Sequence, residues 1–417
     1  MNKPAIAFLA QPFDGVLPPY QNSVGIYTYE IAQRLSDEFE VHVIIPHIEG
    51  REKKELIRGS HFHYLSTNLD KNLQKVFRKI FGYEALTEFS HRYYHLIYVI
   101  QAALLIRKYQ CRIVHTYNFS QFPRLLKLIN PELKTLVSMR CEWLSQLPRQ
   151  LIYQQLKSVD SVIGCSEYIT GKAEICFPES KTVFDTIHTG FDTYRINYRE
   201  SIASSDNNTV LFVGRISPEK GVHTLIEAFA IAKRFEPALK LCLVGGHGQL
   251  KSHLLVDLAD DPRVKALQRF YQTGSPTEYI DHIKGLITKH KLESSVEFVG
   301  GVPYEEVVVF QSKAFVLVNP SLSEAFGRAP VEAMSIGLPV IASRVGGHPE
   351  LIGEDKTIGL LVEPEQPTEM AEAILTLFKD RSMRKSFASG ARQCVEQLYS
   401  WENISNKLKV HYRTMLD

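Results

Sequence analysis

Val210-Leu211-Phe212-Val213-Gly214-Arg215-Ile216-Ser217-Pro218-Glu219-Lys220-Gly221 is the stretch on which the reading of this 417-residue chain turns. Its four leading apolar residues make a short strand suited to burial on both faces, Gly214 lets the backbone turn, and helical spacing runs from Gly221 to Arg234. A strand, a tight turn and a helix in that order form the unit of a parallel α/β sheet. The turn sets Arg215 and Lys220 beside one strand end, and the helix start adds N–H groups without intrahelical partners and the positive end of a dipole. Two cations and a helix N-terminus suit a diphosphate. The segment is not a P-loop, because the Gly-x4-Gly-Lys-Ser/Thr order is absent. Gly245-Gly246-His247-Gly248 is not a dinucleotide fingerprint either, since Lys251 holds the place of the third glycine.

Outward from this stretch the same rhythm repeats. Leu239–Val244, Val296–Val299, Phe315–Val318, Pro339–Ala342 and Gly359–Val362 read as strands, with helix-length segments between them. Upstream, Ile6–Ala10, Val41–Ile45, Ile113–His115, Thr135–Met139 and Ser161–Gly164 do the same. A polar stretch, 197–208, interrupts the pattern near the middle and reads as a linker. The expected fold class is therefore α/β, with two doubly wound Rossmann-like domains facing a cleft. The domains span 1–196 and 209–399, and a final helix over 400–417 carries an apolar stripe of Trp401, Ile404 and Leu408.

Forty-eight basic and 46 acidic side chains leave a formal charge of +2, with no cationic excess to neutralise a nucleic-acid backbone. None of the six cysteines forms a Cys-x-x-Cys pair, and they read as small buried hydrophobes of a reducing compartment. The first residues show no signal-peptide pattern, and the apolar run Leu96–Ile106, broken by Gln101, is too short to span a bilayer. These features place the chain in the cytoplasm. Leu73, Val76, Phe77, Ile80 and Phe81 share a helical face, with Lys71, Lys75, Arg78 and Lys79 on the remainder. Such a basic amphipathic helix over 71–81 either packs on its own domain or lies against the inner face of an anionic membrane. His61-Phe62-His63 has metal-pair spacing but no carboxylate or cysteine companion nearby, so no metal is expected.

A second motif runs Ser323-Glu324-Ala325-Phe326-Gly327-Arg328-Ala329-Pro330-Val331-Glu332. A helix is expected from about Pro330, which leaves Glu324 in the preceding loop and Glu332 in the first turn. Even on one continuous helix, eight residues would separate the two carboxylates by roughly 12 Å, too far for a retaining hydrolase pair. They read instead as acceptors for two sets of hydroxyl groups.

Together with Val299-Gly300-Gly301-Val302, Gly337-Leu338-Pro339-Val340 and Gly346-Gly347-His348-Pro349-Glu350, these motifs resemble the retaining glycosyltransferases of family 4, which have the GT-B fold. The resemblance implies that Arg215 and Lys220 bind the donor diphosphate, helped by N–H groups of Phe326 and Gly327. It gives Glu324 the sugar hydroxyls, Glu332 the ribose, and Gly301 and Val302 the base. The final helix would cross back to the first domain. The first half departs from the family: Asn22-Ser23-Val24-Gly25 replaces a Gly-Gly turn, leaving Gly25 to approach phosphate. His115 matches a strand-end catalytic histidine, with Tyr117 in place of a second one. Tyr117, Asn118, Arg140 and Glu142 are the acceptor-side candidates. Ala325 stands where the family has glycine, and the chain from Gly248 to Val296 is longer than usual, its extra residues being expected on the surface.

No Asp-x-Asp occurs, so the expected chemistry is metal-independent, with no cofactor. The implied reaction moves a hexose from a nucleoside diphosphate sugar, UDP-glucose as the first choice, to a glycan or lipid-linked acceptor in polysaccharide biosynthesis. A sugar-nucleotide epimerase of the same fold and a non-catalytic sugar-nucleotide-binding protein are the alternatives.

Overall fold

A computed structural model describes residues 3–19, 21–81, 89–192, 207–248, 251–271 and 278–417. The expected linker 197–208 lies outside these residues except for Asn207 and Asn208. The chain divides into two compact units, Met1–Gly190 with Trp401–Asp417, and Phe191–Ser400.

The first unit holds β1 (Ala5–Leu9), β2 (Glu40–Pro46), β3 (Lys54–Ile57), β4 (Ser60–Leu65), β5 (Ile113–Tyr117), β6 (Lys134–Met139), β7 (Ser161–Gly164) and β8 (Val183–Thr186). Among the described residues they form one sheet in the order β3-β4-β2-β1-β5-β6-β7-β8. β1 and β5 are buried along their whole length, as central parallel strands must be. Only β3 runs antiparallel, joined to β4 by Arg58 and Gly59, both at positive φ. Two such residues make the tight turn whose twist suits a hairpin. Helix α1 (Ser23–Leu35) covers the sheet beside helix α7 (Trp401–Leu416), which returns the C-terminus to this unit. Tyr412 and Trp401 of α7 enter the same core as Phe8, Tyr27 and Tyr117.

β2 and β4 bring three histidines together. His42 Nδ1 lies 3.0 Å from His63 Nε2, His42 Nε2 lies 3.2 Å from Glu40, and His61 stacks on His42. Burial lowers His42 to about 4, with Glu40 opposing and His61 adding, and lowers His63 to about 3, with His42 and Lys54 adding. Both rings are therefore neutral in the fold, against about 6.5 in an unfolded chain. Above that value neither state binds the protons. Below it the unfolded chain takes up protons that the fold refuses, so stability falls as the pH drops from 6.5 towards 4. Allowing for solvent screening, we expect this pair to contribute a loss of about 2 kcal/mol between pH 7 and pH 5 in urea unfolding. Replacing both rings, His42→Leu with His63→Leu, should make that slope shallower, the remainder coming from other buried histidines of the unit such as His95 and His115; an unchanged slope would rule the pair out as a source.

The second unit contains β9 (Thr209–Val213), β10 (Lys240–Val244), β11 (Val296–Gly300), β12 (Val316–Asn319), β13 (Val340–Ser343) and β14 (Leu360–Val362). All run parallel, in the order β11-β10-β9-β12-β13-β14. Helix α3 (Val222–Phe235) follows β9, α4 (Glu278–Lys289) precedes β11, α5 (Arg328–Ser335) follows β12 and α6 (Arg381–Leu398) precedes α7. The long segment before β11 is not a surface appendage: Val256, Val264, Leu267 and Phe270 are buried in the unit's core with Ile283 of α4. Tyr279 reaches the start of α3, where its hydroxyl accepts from the His223 N–H at 3.2 Å. Apolar residues at this spacing had to be buried, and α3 supplies the surface that covers them. No helix among the described residues is long and apolar enough to cross a membrane.

Candidate functional site

The strand order of the second unit reverses where β9 and β12 lie side by side. Loops leaving two such strands diverge and open a crevice at their carboxyl ends. The loop after β9 carries Arg215 and Lys220; the loop after β12 carries Glu324. A short 3-10 turn, Pro218–Lys220, precedes α3, which begins at Val222 rather than at Gly221. Gly221 takes φ 65°, and a Cβ there would stand 2.0 Å from the carbonyl oxygen of Pro320. Only glycine lets the two loops approach this closely. Leu322 N–H donates to the Glu219 carbonyl at 2.8 Å and locks the approach.

This contact sets Lys220 Nζ 2.6 Å from Glu324 Oε2, with side chains 23% and 17% exposed. Burial alone would raise the Glu324 carboxyl; the Lys220 ammonium, with a hydrogen bond from Asn319, outweighs it and holds the group below its usual range. The carboxylate is thus ionised at neutral pH and poised against a cation. Arg215 turns the other way. Its Nη2 lies 2.7 Å from Glu219 Oε1, which also accepts from Ser217 Oγ at 2.6 Å. The two cations of this motif thus have different partners: Arg215 pairs within its own turn, and Lys220 reaches across to the next loop.

Helix α5 starts at Arg328, two residues before the expected Pro330, so Glu332 falls in its second turn rather than its first. Pro330 is tolerated inside this first turn because the N–H it lacks has no intrahelical acceptor there. Glu332 Oε1 accepts from Arg328 Nη2 at 2.7 Å. The Arg328 guanidinium lies 5.4 Å from the ring of Tyr304 and 5.8 Å from that of Phe191. Phe326 is buried and stacks on Phe191 at 6.2 Å, and the following Gly327, at φ 112°, is the N-cap residue of α5. Gly301 is exposed and Val302 half-buried just past β11.

The first-unit candidates are placed differently from expectation. His115 is fully buried, its Nδ1 2.7 Å from the Tyr412 hydroxyl, amid the rings of Phe8, Tyr27 and Tyr117. Burial holds its imidazole well below 6.5. Residues 113, 115 and 117 of β5 alternate onto one face, and that face is the core covered by α1 and α7, so neither His115 nor Tyr117 meets solvent. Gly25 lies inside α1, where its N–H donates to the N-capping Asn22 side chain at 2.7 Å. A Cβ at Gly25 would stand 1.8 Å from the Gly15 carbonyl oxygen, so glycine serves helix packing here and its N–H is already engaged. Asn118 accepts from the Arg140 N–H at 2.7 Å, and Arg140 lies 3.8 Å over the Tyr27 ring with its Nη1 donating to Thr189. Glu142 accepts from Lys172 at 2.5 Å and from the Tyr168 hydroxyl at 3.0 Å.

Sequence reasoning passed over Arg328, Tyr304 and His348. Arg328 and Glu332 stand four apart on a helix, a spacing that pairs charges and could have been read. His348 stands in the Gly346-Gly347-His348-Pro349-Glu350 motif that carries the resemblance, which gave its side chain no role, and nothing in the sequence singled out Tyr304.

Residues 195–394 match the family model described as glycosyl transferases group 1, and residues 24–195 match that described as glycosyltransferase family 4. The chain is 23% identical over 99% of each chain to the lipopolysaccharide 1,2-N-acetylglucosaminetransferase of Salmonella typhimurium. Two further curated relatives align at 30% identity over 49% and 42% of their own length. Among solved structures, sucrose-phosphate synthase from Thermosynechococcus elongatus superposes with a TM-score of 0.74 at 21% identity, covering 99% of both chains. Anabaena HepE in complex with UDP-glucose superposes with a TM-score of 0.67 at 18% identity, covering 98% of this chain and 99% of that one. At these identities the structural likeness speaks for the fold.

Proposed function

The chain belongs to glycosyltransferase family 4, and from that premise we propose that it moves a hexose from a nucleoside diphosphate sugar, UDP-glucose first, to a glycan or lipid-linked acceptor in polysaccharide biosynthesis. The observation that carries this reading is the Lys220–Glu324 pair at the reversal point of the second sheet. An ammonium group shared with an ionised carboxylate can turn to a diphosphate, while the carboxylate accepts from sugar hydroxyls beside it. Arg215, Lys220 and the N–H groups of Phe326 and Gly327 would hold the leaving diphosphate; fixed donors aimed at developing charge are commonly the largest catalytic contribution. Glu332 would take the ribose hydroxyls, and the backbone at Gly301 and Val302 the base. Transfer would proceed with retention and without a metal. The bond from the anomeric carbon to phosphate oxygen breaks, the bond to the acceptor oxygen forms on the same face, and the acceptor's proton passes to the departing phosphate.

Support for a UDP donor comes from the UDP-glucose bound by HepE, and support for a glycan acceptor from the Salmonella relative's lipopolysaccharide. On helix α2 (Asn68–Phe81), Lys71, Lys75 and Lys79 are exposed beside Leu69 and Val76, a face suited to an anionic membrane where lipid-linked acceptors are met. No cysteine is in a disulfide, in keeping with a cytoplasmic site of action.

Calorimetry against a panel of UDP-, GDP- and ADP-hexoses tests the reading. One donor should bind in the micromolar range, and its affinity should be the same in excess EDTA, because Lys220 and Arg215 carry the phosphate charge. Loss of binding on chelation would overturn the metal-free assignment, and the absence of any binding would overturn the donor site.

A further inference from the structure

His348 opens a short helix, His348–Ile352, on the loop that follows β13, and it is wholly buried. Its Nδ1 lies 2.8 Å from the carbonyl oxygen of Ser343. A carbonyl oxygen only accepts, so Nδ1 carries the ring proton. Burial disfavours the imidazolium despite the nearby Glu324 carboxylate, which leaves Nε2 as a bare acceptor. That nitrogen is buried and finds no hydrogen-bond partner among the described residues. An unsatisfied buried acceptor costs free energy, and in a native fold it needs a reason.

Its surroundings supply one. The ring lies against Gly327, where a Cβ would stand 2.9 Å from Cδ2 and 3.1 Å from Nε2. Gly327 caps α5 and ends the loop that carries Glu324. Gly347 N–H donates to the Glu324 carbonyl at 3.1 Å, so the loop bearing His348 and the loop bearing Glu324 are tied backbone to backbone. A lone acceptor in this place cannot face a phosphate, since both would be acceptors. It suits a hydroxyl.

We propose that His348 is a specificity-determining residue of the donor site, whose Nε2 accepts a hydrogen bond from one hydroxyl of the transferred sugar next to the hydroxyl contacts of Glu324. This rests on the donor reading above and goes beyond it by assigning a residue that reads the sugar rather than the nucleotide. Nε2 is closed to solvent, so the assignment requires the neighbouring loop 325–327 to shift when a sugar enters. A site built to pair with a hydroxyl discriminates strongly against a sugar that lacks it.

The test is a cycle between the side chain and the sugar. Affinities of the full-length chain for UDP, UDP-glucose and the 2-, 3-, 4- and 6-deoxy UDP-glucoses are measured by calorimetry, for the wild type and for His348→Phe and His348→Gln. We expect one deoxy donor to bind the wild type about tenfold more weakly than UDP-glucose. In His348→Phe that one penalty should vanish, because intact donor has fallen to the same level, while the other three ratios and the affinity for UDP stay within twofold. His348→Gln should restore part of the penalty through its amide oxygen, and it carries the cycle if the phenylalanine variant does not fold. Four deoxy ratios that are the same in wild type and variants would overturn the assignment. Binding of UDP without discrimination among sugars would overturn it too, while leaving the nucleotide site standing. A wild type that binds neither UDP nor any UDP-hexose would sink the donor reading and this inference together.

Discussion

Glu324→Ala should lower turnover about 100-fold while leaving the affinity for UDP within about twofold. The carboxylate pairs with Lys220 at 2.6 Å and lies on the loop before α5, where a sugar rather than a nucleotide would contact it. A hydrogen bond to a charged group is worth about 1.5–3 kcal/mol, and a loss of that size felt in the transition state gives a factor of about 10 to 150 in rate. UDP carries no sugar in this place. Removing Glu324 also releases Lys220 from its carboxylate, so phosphate binding should not suffer. Glu332→Gln should behave in the opposite sense. Its carboxylate accepts from Arg328 at 2.7 Å on α5, and the glutamine keeps the shape while weakening that bond and any bond to ribose. UDP and donor should weaken alike, raising KM about tenfold with a smaller change in kcat, as expected of a contact made equally in ground and transition states. Steady-state kinetics with calorimetry for both variants decides the matter. Nucleotide binding lost in Glu324→Ala and kept in Glu332→Gln would reverse the donor in its site.

The two halves of the chain were unequally legible, for physical reasons. In the second unit a strand buried on both faces must be a run of apolar residues, and a loop on which any Cβ would stand 2.0 Å from a neighbouring loop's carbonyl oxygen must place a glycine there. Residues 210–221 state both facts within a dozen letters. Arg215, Lys220 and Glu324 were therefore visible as a group, although the sequence did not show that Lys220 pairs with Glu324 while Arg215 pairs with Glu219. In the first unit the decisive contacts are remote. His115 is made a core residue by Tyr412, 297 positions away, and Gly25 by the carbonyl of Gly15. A strand-end histidine looks the same in sequence whether its face meets substrate or a returning helix. The β3–β4 hairpin escaped notice because its turn is Arg-Gly and its edge strand alternates only weakly, without the Asn-Gly or Asp-Gly signal that marks such turns. The segment before β11 did carry a signal in its spaced apolar residues, and it was outweighed by the expectation that extra length lies outside.

Gly346→Ala should be among the most damaging single-methyl additions in the second unit. Gly346 sits at φ +55°, and a Cβ there would stand 1.7 Å from the carbonyl oxygen of Glu324 and 2.8 Å from its carbon. The atoms in the way are backbone, so no rotamer change relieves the clash. Either the loop after β13 or the loop that carries Glu324 has to move, and the Gly347 N–H bond to the Glu324 carbonyl is lost with it. Left-handed backbone for alanine costs about 1–2 kcal/mol and overpacking about 1–3 kcal/mol more, so a loss of about 3 kcal/mol is expected. For a unit of this size that lowers its Tm by roughly 6–12 °C. The comparison that isolates the cause is Gly285→Ala in helix α4. A Cβ at Gly285 meets nothing within 4 Å, and alanine in a helix interior stabilises by about 0.5–1 kcal/mol over glycine. Thermal unfolding should therefore move down for one variant and slightly up for the other. Turnover should fall in Gly346→Ala even below its new Tm, because the displaced backbone is the one that aims Glu324 at Lys220. A Gly346→Ala variant that keeps wild-type stability would mean that the two loops are not in contact, and the placement of Glu324 argued from that contact would go with it.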